Sequence, residues 1–277
     1  MPGEKEIKEI SISEKITYST VLVKSVSVDS KISTGTGFVL NLNEVDNKCV
    51  PVVVTNKHVI DGALYTELSF CKANIDGTPN DKEIITFRTL KKMWIEHPSV
   101  DLCCCTIGTF INKQSIGNKP FYIPLSINNI PSKETIEDFA ALEEVIMVGY
   151  PIGIADNYNN KPILRKGITA THIKNDYQGK HEFVVDMACF PGSSGSPIFI
   201  LNEGSYSFKN EVYLGSRFYF VGILYGGPQY DARGVVSVVT SNIIADTLIP
   251  TNLGFAIKSD EVLEFDKMIK KHLAARK

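Results

Sequence analysis

The chain has 277 residues and a mass of 30.6 kDa; 43% of its residues are apolar and 22% are charged. These values are typical of a globular protein of one large or two small domains, and they exclude a disordered, collagen-like or coiled-coil chain. The 29 basic and 31 acidic side chains leave a formal net charge of −2. The chain therefore lacks the strong positive field that sequence-independent nucleic-acid binding requires.

The N-terminal residues carry no recognisable targeting signal. Residues 1–10 lack the basic start and the apolar stretch of a secretory signal, and no run of about 20 uncharged apolar residues predicts a membrane span. The six cysteines include no Cys-x-x-Cys pair, and Cys103, Cys104 and Cys105 are predicted to be small core residues of a buried strand rather than metal ligands. We therefore expect a cytoplasmic protein in a reducing compartment, with no membrane association.

Short apolar, β-branched runs separated by turn residues predict strands along most of the chain. The runs cover residues 18–28, 37–42, 50–55, 83–89, 102–107, 144–149, 163–173, 181–187, 196–201, 218–224, 234–240 and 252–257. Their spacing favours an antiparallel sandwich or barrel over βαβ units. Residues 112–143 are less apolar and rich in Asn, Lys, Ser and Pro, and they are predicted to link an N-terminal to a C-terminal half.

Helical patterns are sparse. A short one lies near residues 58–63, and a longer one covers residues 259–275 with Ser259 as the predicted N-cap, acidic residues in the first turn and basic residues near the end. We expect the apolar face of the longer helix to pack on its own domain rather than to bind a partner. That face consists of Val262, Phe265, Ile269 and Leu273.

Residues 190–197 read Phe-Pro-Gly-Ser-Ser-Gly-Ser-Pro. A Gly-x-Ser-Gly turn that leads into an apolar strand suits an acyl-transfer nucleophile, because glycine permits backbone dihedrals that direct several N–H groups into one pocket. Here the N–H groups of Gly192 and Ser194 would stabilise an oxyanion beside the Ser194 hydroxyl. A serine becomes a good nucleophile only when a base takes its proton, so a histidine is required.

The candidate base is His58, which follows an apolar strand run. Its candidate partner is Asp101, at the start of a very apolar run, where a carboxylate is costly to bury unless it is hydrogen-bonded. Orienting the Nδ1–H of His58 would satisfy this carboxylate and stabilise the imidazolium formed during catalysis. Two other carboxylates are considered: Asp61, better suited to cap or solvate its helical turn, and Asp186, on the strand that leads to the serine loop.

The order His…Asp…Ser, with gaps of 43 and 93 residues between His58, Asp101 and Ser194, is informative about the class of hydrolase. It contradicts an α/β-hydrolase, in which the serine comes first and the histidine last, and it also contradicts the subtilisin order. A cysteine nucleophile is excluded because the candidate nucleophile, Ser194, is a serine.

Several segments match the motifs of a known family, and they follow one another in the same order as the motifs of that family. They are Gly35-Thr36-Gly37-Phe38, Thr55-Asn56-Lys57-His58-Val59, Asp101-Leu102-Cys103, Gly149-Tyr150-Pro151 and residues 191–197, 222–227 and 252–257. In these segments the chain resembles the chymotrypsin-fold serine peptidases, specifically the bacterial trypsin-like branch that includes the HtrA-type proteases. The resemblance spans roughly residues 18–270.

The resemblance implies an all-β fold of two antiparallel six-stranded barrels. The implied parts of this single peptidase unit, residues 1–277, are an N-terminal barrel at 18–115, a C-terminal barrel at 140–258 and a helix at 259–277. His58 and Asp101 would come from the first barrel and Ser194 from the second, and peptide bonds would be hydrolysed through an acyl-enzyme without a metal or other cofactor. No PDZ module is expected after the last strand.

By register with the family loop, Ala188 is expected near the base of the pocket for the side chain before the scissile bond. Tyr225, Gly226 and Gly227 would form the pocket wall and the edge that pairs with the substrate backbone. Since no acidic residue stands at the base, we expect a small or medium apolar side chain there.

Two positions depart from the family pattern. Ser193 replaces the aspartate that pairs with a newly cut N-terminus in secreted zymogens, so that activation route is expected to be absent. Ser196 replaces a glycine and adds a hydroxymethyl group beside the nucleophile loop.

The sequence therefore predicts a serine endopeptidase that acts on a protein or peptide substrate and is regulated, through a protein partner for example, or highly selective. The alternative is a latent or inactive trypsin-like domain that binds a peptide or a partner protein.

Overall fold

Two β-sheet units follow each other along the chain in the computed structural model, which describes residues 10–45, 48–115, 117–208, 211–238 and 241–274. The strands of the N-terminal unit are β1 Thr20–Ser27, β2 Ile32–Val45, β3 Lys48–Thr55, β4 Ala63–Ala73, β5 Pro79–Thr89, β6 Trp94–Glu96, β7 Cys103–Thr106, β8 Pro120–Phe121 and β9 Leu125–Ser126. Those of the C-terminal unit are β10 Glu144–Gly149, β11 Ile163–Thr169, β12 Glu182–Asp186, β13 Pro197–Asn202, β14 Ser205–Phe208, β15 Glu211–Leu214, β16 Arg217–Gly226, β17 Gln229–Val238, β18 Ser241–Pro250 and β19 Leu253–Lys258.

The C-terminal unit contains a closed six-stranded barrel in the order β10-β11-β12-β19-β16-β13, so the antiparallel barrel predicted for this half is confirmed. Two hairpins extend from it, β14–β15 and β17–β18, and each forms a separate two-stranded sheet. The predicted strand 234–240 coincides with β17 up to Val238, and its last two residues lie outside the described part of the chain.

The N-terminal unit departs from the predicted six-stranded closed barrel. Its strands form a nine-stranded sheet in the order β5-β4-β1-β2-β3-β7-β6, with β8 paired to β4 and β9 paired to β2. In the described residues β6 is only three residues long and does not pair with β5. A side chain spans this gap instead, because the indole N–H of Trp94 donates to the Thr89 hydroxyl over 3.1 Å.

Five helices accompany the strands in the described residues: α1 Ile12–Ser19, α2 Lys57–Ile60, α3 Gly108–Asn112, α4 Lys133–Asp138 and α5 Leu263–Ala274. Helix α1 and strand β4 were not predicted. The segment predicted as a plain linker, residues 112–143, contains α4 and two short strands, β8 and β9, that join the N-terminal sheet. No helix in the described part of the chain is long and apolar enough to cross a bilayer.

Helix α5 packs into a core that both units share. Its predicted apolar face is buried through Val262, Phe265 and Ile269, and these residues belong to one cluster with Phe38 of β2 and Phe220 of β16. This confirms that the face packs within the protein. The side chain of Leu273 and residue Ala275 lie outside what the structure describes.

The predicted N-cap role of Ser259 is wrong. A 3-10 turn, Ser259–Val262, precedes α5, and Lys258 before it makes no side-chain cap hydrogen bond. The acidic residues of this turn contact two histidines: Asp260 lies 2.8 Å from His181 Nε2 and Glu261 lies 3.3 Å from His97 Nε2.

The three consecutive cysteines are buried on both faces of β7, as the sequence predicts for core residues. Cys103, Cys104 and Cys105 are all fully buried, with Cys104 in the core shared by the two units and its neighbours in the core of the N-terminal unit. Burial raises the pKa of the Cys105 thiol to about 12, so these side chains are neutral thiols.

His181 is predicted to make the stability of the barrel depend on pH. Its Nδ1 lies 3.0 Å from Asp176, which also binds Lys258, and its Nε2 lies 2.8 Å from Asp260. Burial alone would lower the pKa of His181, but the carboxylates more than offset it and raise the pKa above 6.5. A group whose pKa is higher in the folded than in the unfolded state contributes its full stabilisation at pH values below the unfolded-state pKa. This contribution is lost as the pH rises through the folded-state pKa.

We therefore expect His181→Gln to lower the free energy of unfolding at pH 5.5 by about 0.5–1 kcal/mol, since the pair is partly exposed, and by less at pH 9. Urea unfolding at both values measures this. His172→Gln is the control, because burial lowers the pKa of His172 and its trend with pH should be opposite. Equal losses at both pH values for His181→Gln would contradict the prediction.

Candidate active site

Strand pairing in the N-terminal unit brings His58 and Asp101 together. Strands β3 and β7 are antiparallel, with Thr55 opposite Cys103, so the end of β3 lies beside the start of β7. His58 stands three residues after Thr55, in α2, and Asp101 stands two residues before Cys103. Both side chains therefore emerge at the same edge of the sheet.

The Asp101 carboxylate contacts His58 through both of its oxygens. Oδ2 lies 2.5 Å from His58 Nδ1, and Oδ1 accepts the His58 backbone N–H over 3.2 Å. The Asn56 side-chain amide donates to the Asp101 carbonyl over 2.7 Å. This pair leaves Nε2 of a half-exposed imidazole available to a substrate-side group, whereas Asp61 lies 79% exposed beside Lys91 and makes no described contact with His58.

His97 shapes the turn that presents Asp101, a role that the sequence did not reveal. Its buried ring accepts the N–H groups of Ser99 and Val100 at Nδ1 over 3.3 and 3.2 Å, and its edge packs on Phe265 of α5. The proton of the neutral ring is therefore on Nε2. The contact with α5 distinguishes His97 from an ordinary loop histidine, and no sequence pattern indicates this contact.

The loop between β12 and β13 carries Ser194 and uses its N–H groups in an alternating pattern. Three of them donate to carbonyl oxygens: Ser193 to Phe190 at 3.0 Å, Gly195 to Leu224 at 2.8 Å and Ser196 to Ser193 at 3.0 Å. Within the described residues, the N–H groups of Gly192 and Ser194 donate to no protein acceptor. These are the two groups predicted to form an oxyanion site.

The orientation of the Gly192 N–H follows from its peptide plane. The Ile152 N–H donates to the Pro191 carbonyl over 2.6 Å. Because the peptide bond is planar and trans, the Gly192 N–H points away from Ile152. Gly192 has φ +88°, a conformation that glycine adopts without the penalty of a Cβ atom.

The Ser194 hydroxyl lies at the end of β16. It donates to the carbonyl oxygen of Tyr225 over 3.4 Å, and no hydrogen bond joins it to His58 among the residues that the structure describes. In free enzymes, the hydrogen bond between a nucleophile and its base is often long or poorly aligned and tightens when the substrate binds.

A cavity of about 190 Å³ opens beside Ser194. Its apolar walls come from Cys189, Leu224 and Leu253, and the described residues that line it include no charged side chain. Burial raises the pKa of the Cys189 thiol to about 11, so it contributes a neutral surface.

Two of the four residues predicted for substrate binding line this cavity. Gly226 and Gly227 line it. Tyr225 does not line it: the Tyr225 hydroxyl donates to Glu182 over 2.9 Å, and the Tyr225 carbonyl accepts the Ser194 hydroxyl. Ala188 does not line the cavity, and its carbonyl accepts a hydrogen bond from Arg165, whereas the neighbouring Cys189, which was not predicted, does line it.

The unusual Ser196 fits because Gly149 lies opposite. Both Ser193 and Ser196 are fully buried, and their hydroxyls have no hydrogen-bond partner in the described structure. A Cβ atom on Gly149 would overlap the Ser196 hydroxyl and lie 2.8 Å from the Thr36 hydroxyl. The absence of a side chain on β10 thus makes room for the extra hydroxymethyl group on the loop.

We expect Gly149→Ala to destabilise the fold by about 2 kcal/mol through overpacking, and Ser196→Ala to be neutral or stabilising by up to about 1 kcal/mol, since it removes an unpaired buried oxygen. The double variant Gly149→Ala/Ser196→Ala should recover part of the loss, because the hydroxyl that the new Cβ atom would overlap is gone. Urea unfolding of the four proteins measures the coupling. Strict additivity would show that the two positions do not contact each other.

A family model for the trypsin-like peptidase domain matches residues 35–206, which is more than half of the chain. No curated protein matches.

Three solved structures are similar at low identity. The HtrA-type protease AlgW with a tripeptide is 16% identical with a TM-score of 0.48, over 94% of this chain and 62% of that one. The active form of the Rv3671c protease from M. tuberculosis is 15% identical with a TM-score of 0.48, over 91% and 81%. Deg5 is 17% identical with a TM-score of 0.49, over 93% and 95%. The chain thus spans less than two thirds of the length of AlgW.

Proposed function

Because the chain belongs to the trypsin-like peptidase family, and so is a serine-type peptidase, we propose that it cleaves peptide bonds with Ser194 as nucleophile, His58 as general base and Asp101 as the group that orients the base. The observation that carries the proposal is the alternation in the serine loop. The N–H groups of Ser193 and Gly195, on either side of Ser194, donate to carbonyl oxygens, whereas those of Gly192 and Ser194 donate to no acceptor in the described residues. Two free donors at this place suit a developing oxyanion.

In the proposed reaction, Ser194 Oγ attacks the scissile carbonyl carbon and His58 Nε2 takes the hydroxyl proton. The carbonyl oxygen becomes an oxyanion that accepts the N–H groups of Gly192 and Ser194. Collapse of the tetrahedral adduct breaks the C–N bond as His58 returns the proton to the leaving amine. Water then attacks the acyl-enzyme, again with His58 as base, and releases Ser194. Asp101 keeps Nδ1 protonated and stabilises the imidazolium throughout.

A fluorophosphonate probe tests this assignment. We expect it to label the natural chain on Ser194, located by peptide mass spectrometry, and not to label Ser194→Ala. The Ser193→Ala and Ser196→Ala variants are matched controls from the same loop and should retain labelling. Labelling of another residue, or equal labelling of Ser194→Ala, would refute the proposed nucleophile.

A second candidate is a latent or binding-only domain, favoured by the hydrogen bond from Ser194 to Tyr225 rather than to His58. In this case the probe labels the isolated chain slowly or not at all, and labelling accelerates when a regulatory protein or a peptide binds. Brisk hydrolysis of unfolded casein by the purified chain alone would reject latency.

For specificity, we propose that the cavity beside Ser194 takes a small or medium apolar side chain before the scissile bond. Its apolar and uncharged walls support this. Leu253→Ala should enlarge the cavity and raise the ratio of kcat/KM for phenylalanine over alanine substrates by about tenfold, the value of roughly 1–2 kcal/mol of pocket contact. A ratio within one variant does not depend on the fraction of active protein, and an unchanged ratio would place the specificity pocket elsewhere.

We also propose a reducing compartment such as the cytoplasm. All six cysteines are free thiols, the state that such a compartment maintains.

A further inference from the structure

Thr36 lies in β2, fully buried between the two units, and all of its polar groups are engaged. Its N–H donates to the Ser194 carbonyl over 2.8 Å, and its own carbonyl accepts the Thr55 hydroxyl over 2.6 Å. Its hydroxyl accepts the Tyr150 N–H over 3.0 Å and donates to the Gly192 carbonyl over 2.9 Å. One side chain of the N-terminal unit thus joins two loops of the C-terminal unit.

The carbonyl that this hydroxyl binds belongs to the residue whose N–H is free. The two peptide planes that flank Gly192 are each held at their carbonyl, one by the Ile152 N–H on Pro191 and the other by the Thr36 hydroxyl on Gly192. Glycine has wide conformational freedom, so without these anchors both dihedrals of Gly192 could change. With them, the Ile152 bond determines the direction of the Gly192 N–H, and the Thr36 bond holds the next peptide plane, so that neither dihedral of Gly192 can change freely.

The anchor must donate and accept at the same atom, because it links an N–H of the Tyr150 turn to a C=O of the serine loop. A hydroxyl can do both. Replacement by an apolar side chain of the same shape would leave a buried donor and a buried acceptor without a partner. The serine loop could then change conformation, because the Gly192 carbonyl would no longer be held.

We propose that Thr36 is a positioning residue of the oxyanion site, which holds the peptide plane on the carbonyl side of Gly192 from the opposite unit of the protein and so keeps the Ser194 N–H in place relative to the Gly192 N–H. This inference rests on the proposed function, since it assigns a role to those two N–H groups. Thr36 lies within the motif Gly35-Thr36-Gly37-Phe38, whose sequence by itself indicates only the resemblance to the family.

The test compares Thr36→Val, Thr36→Ser and the control Thr66→Val in the full chain. Thr66 is also a buried threonine of the N-terminal sheet, and its hydroxyl pairs with Thr89 away from the serine loop. For Thr36→Val we expect kcat to fall by about 10–100-fold with KM changed by less than about threefold, as for the loss of transition-state stabilisation alone. Thr36→Ser should retain kcat within about threefold, and Thr66→Val should lose stability without losing kcat.

Amide hydrogen exchange of residues 190–196 provides a readout that does not depend on activity. We expect faster exchange of this segment in Thr36→Val than in the natural chain, and no change in Thr66→Val. If Thr36→Val is not recovered folded, Thr36→Ala removes the same hydroxyl and should give the same two results.

Natural kcat and natural exchange in the valine variant would overturn the inference, as would an equal loss of kcat in Thr66→Val. The two proposals fail in different ways. An unlabelled Ser194 in the natural chain counts against the proposed function, whereas unchanged exchange in Thr36→Val counts against the role of Thr36.

Discussion

Alanine at Ser194, His58 or Asp101 is expected to lower kcat by about 10⁴–10⁶-fold each, and any pair of these replacements should lower it no further. The physical reason is that the three groups act as one unit. The hydroxyl is a poor nucleophile without the base, and the base is misoriented without the carboxylate that lies 2.5 Å from its Nδ1. Steady-state hydrolysis of a fluorogenic peptide, with active-site titration of the natural chain, measures each loss.

The two other carboxylates considered from the sequence provide controls. Asp61→Asn and Asp186→Asn should keep kcat within about threefold, because neither group touches His58 in the described structure. If the loss of kcat in a double variant equalled the combined losses of the two single variants, Ser194, His58 and Asp101 would not form a triad. A large loss in Asp61→Asn would move the carboxylate role to that residue.

Gly195→Ala is expected to lower the free energy of unfolding by about 3 kcal/mol and kcat/KM by about 10²-fold or more. Gly195 has φ +86°, and a Cβ atom there would overlap the Thr36 carbonyl and lie 2.6 Å from the Thr55 hydroxyl. The left-handed conformation alone costs about 1–2 kcal/mol for a residue with a Cβ. The overlap must in addition displace the loop, and with it the adjacent Ser194.

Gly204→Ala separates these two contributions. Gly204 has a similar φ of +90°, but a Cβ atom there would meet nothing within 4 Å. This variant should lose about 1 kcal/mol of stability with no change in kcat/KM. If urea unfolding and kinetics gave the same values for both alanine variants, the close approach of the serine loop to β2 would not be supported.

Local patterns predicted most of the β-structure because apolar alternation is a property of each segment by itself. The barrel strands β10, β12 and β13 lie within two residues of the predicted runs. The amphipathic strand β4 was missed because its apolar residues are mixed with Glu67 and Lys72, both of which form ion pairs across the sheet. Local patterns do not predict whether a sheet closes into a barrel, because closure depends on pairing between strands that are distant in the chain.

The candidate site was predicted in part from spacing and in part from resemblance. His58, Asp101 and Ser194 each stand next to a strand end, and their residue types together with their order along the chain pointed to their roles. Cys189 and Leu253 line the cavity instead of Ala188, because the path of two chain segments, not the register of one loop, decides which side chains reach it.

The sequence by itself determined the fold class, the family, and the three residues assigned to the reaction, because these depend on residue types and on their order along the chain. Only the tertiary structure decided the open N-terminal sheet, the complementarity of Ser196 with Gly149, and the hydroxyl of Thr36 that joins the two units. The last two depend on atoms more than 40 residues apart in the chain that meet within hydrogen-bond or contact distance. Such contacts leave no local periodicity, because a threonine in a strand looks the same whether its hydroxyl binds water or a distant carbonyl.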